Sequence, residues 1–388
     1  MAIFAVPSSC HYILVMALGM GSVSPAPEGA MDLQKAVSGS GKSYLTDDAA
    51  MIRAAAELTR DLNAPKPYIY WADFLVFAAL GYAGLFLSIA APTALQALGW
   101  ALAAIIGLYR AGLFIHELTH IKHAAVPGFR LAWNVIVGVP LLVPSFMYEG
   151  IHNLHHSRTR YGTAEDPEYL PLALMKPYTV PLFVLVAALG PLALFFRYAL
   201  LAPLSALVRP LRTLVVERYS GLVINPAFRR RAPEGEARRS WLLLEAAASL
   251  WAIGLLTAVA TGVIPLRGFL IFLGVMSVIV ILNQVRTLVA HLWENEGEVM
   301  SVTAQFLDSV NVPPPGLLPA VWAPVGLRYH ALHHLLPGLP YHALGEAHRR
   351  LSAALAPESA YHRANYRGLP GLVVRLMGNT FKAAAPRV

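Results

Sequence analysis

Residues 94–123, ALQALGWALAAIIGLYRAGLFIHELTHIKH, decide the fold of this chain. The run is apolar over about 20 residues, the length that an α-helix needs to cross the hydrocarbon core of a bilayer. It ends in His116 and His120, which are four residues apart and therefore share one helix face. The stretch predicts a membrane-spanning helix that carries imidazole ligands at one end.

Two further histidine clusters and one isolated histidine also lie beside apolar runs. The clusters HNLHH and HALHH place three imidazoles at i, i+3 and i+4, so each can direct two or three rings at one point. Imidazole is the commonest metal ligand in proteins, and a ligand set without thiolate suits iron, copper, nickel or zinc. Nine imidazoles are too many for one metal ion and fit two: His116, His120, His152, His155, His156, His291, His330, His333 and His334.

The composition indicates a membrane protein. Of 388 residues, 56% are hydrophobic and only 13% are charged, against about 25% charged in a soluble domain. The net charge of +8 accompanies apolar spans, so it indicates cytoplasmic loops that follow the positive-inside rule and not a nucleic-acid-binding surface. The single cysteine, Cys10, excludes a disulfide framework and a thiolate metal site.

Four apolar runs have the length of a membrane span: residues 68–90, 94–115, 241–264 and 268–290. Two others are interrupted by proline, which removes a backbone hydrogen bond and kinks a helix. These are residues 131–147, with Pro140 and Pro144, and residues 180–207, with Gly190-Pro191 and Pro203. We therefore predict an all-α fold with four membrane-spanning helices in two hairpins, plus re-entrant or interfacial helices and a histidine-rich helical cap.

This arrangement places all the histidine clusters on one side of the membrane, because either interrupted run would separate them if it crossed alone. The loop 208–240 and the segment after residue 328 are rich in arginine, whereas the two opposite turns offer only Arg267. The clusters and both termini are therefore expected to be cytoplasmic.

The domain boundaries are expected at residues 1–66, 67–355 and 356–388. The first segment is an N-terminal lead-in, with a short helix near residues 47–62, and the last is a cytoplasmic tail. No Lys or Arg precedes the apolar stretch 3–20, which argues against a secretory signal. A start codon placed too early, with Met31 as the true start, explains that stretch as well as a genuine N-terminal segment does.

Two other classes of protein remain open at this point. His116-Glu117-Leu-Thr-His120 matches HExxH, the zinc protease motif in which the glutamate is the general base. A protease would leave seven of the nine histidines without a role. A histidine-lined metal transporter would place ligands across the membrane depth, whereas these lie at the ends of spans. His123 is a further possible ligand, and His11, His342, His348 and His362 are expected to be structural.

The order HxxxH, HxxHH, lone His, HxxHH resembles the integral-membrane fatty acid desaturase and hydroxylase superfamily. Three flanking stretches resemble it too: Asp166-Pro167-Glu168, Arg286-Thr287 ahead of His291, and the segment from His333 to His342. The resemblance covers about residues 68–355. It implies two non-haem irons held by the nine histidines, with His123 possible in place of His120.

The resemblance also implies an activity. Such enzymes use O2 and two external electrons to remove hydrogen from an alkyl carbon, and the product is an alkene or an alcohol. We expect a fatty-acyl or lipid desaturase, with a hydroxylase or ketolase of a lipid, alkane or carotenoid as the alternative. The substrate enters from the bilayer, and electrons come from a separate donor such as ferredoxin, which the arginine-rich 208–240 loop could dock.

Neighbouring polar residues are expected to orient the ligands, because a metal-bound imidazole usually donates its other N–H to a carboxylate. The main candidates are Glu117, Asp166, Asn283 and Thr287, with Glu149, Glu165 and Glu294 after them. Substrate contact is possible for the aromatic residues beside the clusters: Trp133, Tyr148, Trp293 and Tyr329.

Overall fold

The computed structural model describes residues 45–385. Every regular element in this part of the chain is helical, as predicted, and the only strand-like pairing within it is three isolated bridges. The helices are α1 (Ala49–Leu58), α2 (Pro67–Ala90), α3 (Ala94–Gly112), α4 (Phe114–His120), α5 (Phe129–Trp133), α6 (His152–His155), α7 (Thr179–Leu185), α8 (Gly190–Phe196), α9 (Ala202–Leu207), α10 (Arg209–Arg218), α11 (Gly235–Ala260), α12 (Leu266–Leu288), α13 (Val302–Asp308), α14 (Pro319–Trp322), α15 (His330–Leu335), α16 (Leu344–Ala354), α17 (Ala360–Arg363) and α18 (Leu369–Ala384).

The expectations for the N-terminal lead-in, residues 1–66, differ in their outcome. The short helix predicted near residues 47–62 is present as α1, which Asp48 caps by accepting a hydrogen bond from the Met51 backbone N–H. The apolar stretch 3–20 and the alternative start at Met31 lie outside the described residues.

Helices α2 and α3 form the first hairpin, and their backbones touch. A Cβ on Gly107 would lie 2.4 Å from the backbone nitrogen of Gly81, and a Cβ on Gly84 would lie 2.6 Å from that of Ala104. Small residues permit this close approach between membrane helices, where dispersion replaces hydrophobic association. Thr93 caps α3 by accepting from the Gln96 backbone N–H.

Five segments within residues 45–385 are long and apolar enough to span a membrane: Pro67–Ala90, Ala94–His120, Thr179–Leu207, Gly235–Ala260 and Leu266–Leu288. Four of them match the predicted spans. The fifth corresponds to the run that we expected to be re-entrant or interfacial, so the count of four spans remains a prediction.

The fifth segment is a bent helical path, α7 to α9, joined by a 3-10 turn at Val186–Leu189 and a π turn at Arg197–Leu201. It packs along α12, with Gly190 against Val280 and Phe195 against Phe269. The chain then returns through α10, and the Ile224 backbone N–H donates to the carbonyl of Pro167. The segments before and after this path are thus hydrogen-bonded to each other, beside the second histidine cluster.

The other interrupted run, residues 131–147, forms a short helical segment and a reversal of the chain, and its re-entrant or interfacial position in the membrane remains a prediction. After α5 a π turn covers Asn134–Gly138, and the chain reverses with Leu142 at a φ of 58°. The segment enters between two spans, because Tyr82 donates to the carbonyl of Ile136 at 2.5 Å and Trp251 donates to that of Pro140 at 3.1 Å.

Isolated bridges place the last histidines near one another. His291 pairs with Ser309, and Asn311 pairs with both Tyr329 and Asn365. The side-chain oxygen of Asn311, which is fully buried, accepts from the Leu332 backbone N–H at 3.0 Å in the first turn of α15. One asparagine thereby connects the segment after α13, the third histidine cluster and the residues after α17.

Candidate metal centre

The structure brings all nine predicted histidines together in two adjoining groups. The first group holds His116, His120, His152, His156 and His333, and the second holds His155, His291, His330 and His334. Within each group the ligand atoms lie within 4.8 Å of one another. The groups adjoin because His155 and His156 are consecutive and the rings of His156 and His334 stack at 4.2 Å.

Helical spacing explains this convergence. Helices α6 and α15 each place their i and i+4 histidines on one face, and their Nε2 atoms are 3.0 Å apart in α6 and 3.2 Å apart in α15. The remaining member of each HxxHH cluster belongs to the other group, so both short helices contribute to both groups. His291 comes from outside any helix, from the bridge after α12.

The distances between Nε2 atoms fit a shared metal ion. His291 Nε2 lies 3.0 Å from that of His330 and 3.2 Å from that of His155. Two imidazole nitrogens about 2.1 Å from one ion, at a right angle, are about 3.0 Å apart. Four buried imidazoles also have at least one ring nitrogen without a hydrogen-bond partner in the described part of the chain: His116, His120, His156 and His330.

Buried acidic residues hold two rings from the outer side. Nδ1 of His155 lies 2.9 and 3.0 Å from the two oxygens of Asp166, which is fully buried. Nδ1 of His152 lies 2.8 Å from Oε1 of Glu168, and the Tyr148 hydroxyl donates to the other oxygen at 2.8 Å. With Nδ1 bonded outward, the Nε2 lone pairs face the interior of each group, as metal ligation requires.

These neighbours change the protonation of the rings. Burial alone would lower the pKa of His155, but the charge of Asp166 and its hydrogen bond raise it. Burial, and then the neighbouring imidazoles, hold the pKa of His152 and His156 well below the ordinary value. Burial also raises the pKa of Glu168 to about 7. Neutral imidazole is the form that binds a metal ion.

A third buried acid, Asp308, acts through two tyrosines. Nδ1 of His291 lies 2.8 Å from the Tyr161 hydroxyl, which donates to Asp308 at 2.8 Å, and the Tyr169 hydroxyl donates to the same carboxylate oxygen at 2.9 Å. No sequence signal indicates Tyr161, Tyr169 or Asp308, because no spacing or motif connects α13 with the second cluster. Glu168 belongs to the Asp166-Pro167-Glu168 stretch, but its contact with His152 was not predicted.

The other predicted orienting residues do not hydrogen-bond a ring of the two groups. Glu117 is 3.8 Å from His116 Nδ1 and instead accepts from the Tyr70 hydroxyl and the Tyr341 backbone N–H. Asn283 and Thr287 accept from Arg286. Three lower-ranked acids pair with arginines near the surface: Glu149 with Arg130, Glu165 with Arg160, and Glu294 with Arg375.

His123 does not join either group. Its half-exposed ring lies 3.7 Å from Glu149, whereas His120 lies inside the first group. The first histidine box therefore uses its i and i+4 positions in this geometry.

A cavity of about 470 Å³ extends from the histidine groups into the helical bundle. His116, Tyr148 and Glu168 line its end at the histidines, and Leu108, Trp133 and Gly190 line it further in. Two of the four aromatic residues singled out from the sequence thus line the cavity, Trp133 and Tyr148. The other two do not: Trp293 packs against His291, and Tyr329 packs against His348.

Five helical segments of membrane-spanning length, together with two imidazole groups that could each hold a metal ion beside a cavity, indicate a membrane protein of a metal-binding class. The sequence model described as fatty acid desaturase matches residues 92–366. The chain is also 49% identical over 322 residues, 83% of its length and 92% of the relative, to a ceramide hydroxylase of Caulobacter vibrioides (strain NA1000 / CB15N). No solved structure matches the chain.

This chain therefore belongs to the fatty acid desaturase family, and it is an integral-membrane, oxygen-dependent oxidoreductase. The zinc protease hypothesis is not retained. It uses only His116, Glu117 and His120, whereas the structure joins these histidines to seven others.

Proposed function

We propose that the protein is a di-iron hydroxylase of a ceramide-type membrane lipid, with two irons held by the nine histidines. The observation that carries the proposal is the convergence of nine imidazoles in two groups beside an apolar cavity. From the sequence, desaturation was the first expectation and hydroxylation the alternative. Hydroxylation is now preferred, because the relative named a ceramide hydroxylase is nearly half identical over most of both chains.

The five-histidine group would hold one iron and the four-histidine group the other. When bound, the irons would use O2, two electrons and two protons to insert one oxygen atom into a C–H bond of the lipid chain, and the second oxygen atom would leave as water. The protein's own residues prepare the site. Asp166, Glu168 and the Tyr161–Asp308 pair fix the rings, and the apolar cavity holds the chain away from water.

Electrons would come from an acidic carrier such as a ferredoxin, docked on the arginine-rich face after α9. Four arginines of this face have exposed side chains: Arg209, Arg231, Arg238 and Arg239. Two others are engaged internally, because Arg212 pairs with Glu245 and Arg230 donates to backbone carbonyls. The same face supports a cytoplasmic location of the histidine groups and both termini.

The proposal is tested by metal content and product analysis of detergent-purified protein, expressed with iron and zinc both available. We expect about two irons per chain, since nine imidazoles exceed the ligand needs of one ion. His155→Ala and His333→Ala should lose iron, and His123→Ala, the matched control outside both groups, should keep it.

Lipids from cells that express the protein would then be compared by mass spectrometry with lipids from cells that express His333→Ala. A ceramide with one added oxygen supports the hydroxylase, and a ceramide that lacks two hydrogens supports the desaturase. One zinc per chain, unaffected by His333→Ala, contradicts both.

A further inference from the structure

Arg286 places a charged group in the wall of the cavity, next to the histidine groups. Its Nε donates to Asn283 at 3.3 Å and its Nη2 donates to Thr287 at 3.0 Å, and all three residues line the cavity. None of the ion pairs within residues 45–385 includes Arg286. Both hydrogen-bond partners of Arg286 are neutral, and Glu168 acts on it only electrostatically. A ligand that supplies further hydrogen-bond acceptors would therefore stabilise this partly buried charge.

The polarity of the cavity changes along α12. Thr287, Arg286 and Asn283 occupy the last two turns, at the end where the chain continues to His291. From Asn283 back to Met276 the helix rises by about 10 Å. Over this distance the cavity-lining residues of α12 are apolar: Met276, Ile279 and Val280. Along α12 the cavity wall thus changes from hydrogen-bonding to apolar. Other elements contribute charged residues to the lining: Arg197, Glu217, Arg218 and Arg229.

The hydrogen-bonding part of the α12 wall is also the part that the histidine groups reach. His116 lines the cavity at the end of its span, whereas Leu108, two turns earlier, lines the apolar part. A lipid in this cavity would place its tail against Leu108 and Met276 and its polar head against Arg286. The carbons facing His116 are then those that follow the head group directly.

We propose that Arg286, held by Asn283 and Thr287, binds the amide and hydroxyl oxygens of the lipid head group, so that the hydroxyl enters the chain within the first few carbons from that group. This inference rests on the proposed hydroxylase function and adds the position of the reaction. Arg286 would be a specificity-determining residue, because it selects lipids that carry hydrogen-bond acceptors at the head.

The first test needs no variant. The hydroxyl position in the product ceramide would be located by tandem mass spectrometry. A hydroxyl next to the amide or the head-group alcohols supports the inference. A hydroxyl in the middle or at the end of the chain overturns the inference and leaves the proposed function standing. Iron-loaded protein that gives no oxidised lipid overturns the proposed function, and the inference with it.

The second test measures binding without catalysis. Iron-loaded protein in detergent, with no electron donor present, would be titrated with a short-chain ceramide, and with an alkane of equal chain length, while the midpoint of thermal unfolding is followed. Arg286→Gln should bind the ceramide about 10- to 100-fold more weakly, the loss expected when hydrogen bonds to a charged group are removed. Alkane binding should not change.

Arg53→Gln is the matched control, since it removes an exposed arginine of α1 outside the cavity. It should bind both compounds as the native protein does. Asn283→Leu provides a second variant that keeps the charge and removes one of its anchors. Equal ceramide affinity in native protein, Arg286→Gln and Asn283→Leu overturns the inference.

Discussion

Asp166 is the residue on which the orientation of His155 depends most directly. Both of its oxygens contact Nδ1 of that ring, and they also accept from the backbone N–H groups of Gly162 and Glu168 at 2.8 Å. An asparagine would keep the shape of the side chain but lose its charge. Its NH2 group would also face the backbone N–H of Gly162 or of Glu168, so two donors would oppose each other. We expect Asp166→Asn to weaken iron binding about 10- to 100-fold, as loss of an outer partner of a metal ligand typically does.

This prediction is checked by titrating iron out of the purified variant with a competing chelator. Glu165→Gln is the neighbouring control, because its side chain is largely exposed and 3.5 Å from Arg160. Equal iron retention by Asp166→Asn and Glu165→Gln would show that the hydrogen bond between Asp166 and His155 does not affect the affinity for iron.

At the residue scale, the proximity of the nine histidines and the contact of Asp166 with His155 could be predicted from the sequence, and their roles at the metal remain a prediction. Glu117 illustrates where such reasoning stops. As the neighbour of His116 in the helix, it points about 100° away from that ring, and it pairs with Tyr70 and Tyr341 instead. Asp308 reaches His291 through Tyr161, and only the tertiary fold establishes that contact.

At the scale of elements, the hairpin of α2 and α3 should depend on the missing side chain of Gly107. Its Cβ would lie within 2.7 Å of three backbone atoms of α2, so Gly107→Ala must push the helices apart. Overpacking of this kind costs about 1–3 kcal/mol. Because α4 continues α3 and carries His116 and His120, we also expect the variant to hold less iron.

Gly99→Ala is the control within the same helix, since nothing lies within 4 Å of the added Cβ. Its unfolding temperature in detergent should equal or exceed that of the native protein, because alanine favours helix by about 1 kcal/mol over glycine. If Gly107→Ala and Gly99→Ala had equal unfolding temperatures and equal iron contents, the close packing of this hairpin would not be needed to position His116 and His120.

The prolines show which part of the topology the sequence could not specify. Pro191 and Pro203 were expected to interrupt the run 180–207, and the helical path bends there but continues through both. Each proline stands in the first turn of a new helical segment, where its missing N–H is not needed. The helix axis changes direction at the 3-10 and π turns that directly precede these segments. Local sequence predicted the interruption correctly, but packing against α12 and α11 decides the path.

At the scale of the whole molecule, the metal ions are expected to hold together segments that are distant in sequence. Helices α4, α6 and α15 and residue 291 meet at the two groups, where Nε2 atoms from different segments face one another at 3.0 to 3.2 Å. Removing the ions takes away the partner that these lone pairs would share, so water and local opening should replace it. The backbone contacts of α2 and α3 do not involve the groups and should persist.

Hydrogen exchange on native and chelator-treated protein tests this separation. Amides of residues 152–156 and 330–335 should exchange about 100-fold faster after iron removal, the factor by which a ligand at 100 times its Kd favours the bound state. Amides of residues 74–88 should keep their protection, and added ferrous iron should restore the native pattern. Equal loss of protection in both regions would mean that the ions stabilise the entire bundle. Unchanged exchange everywhere would mean that the nine histidines do not form a metal-dependent unit.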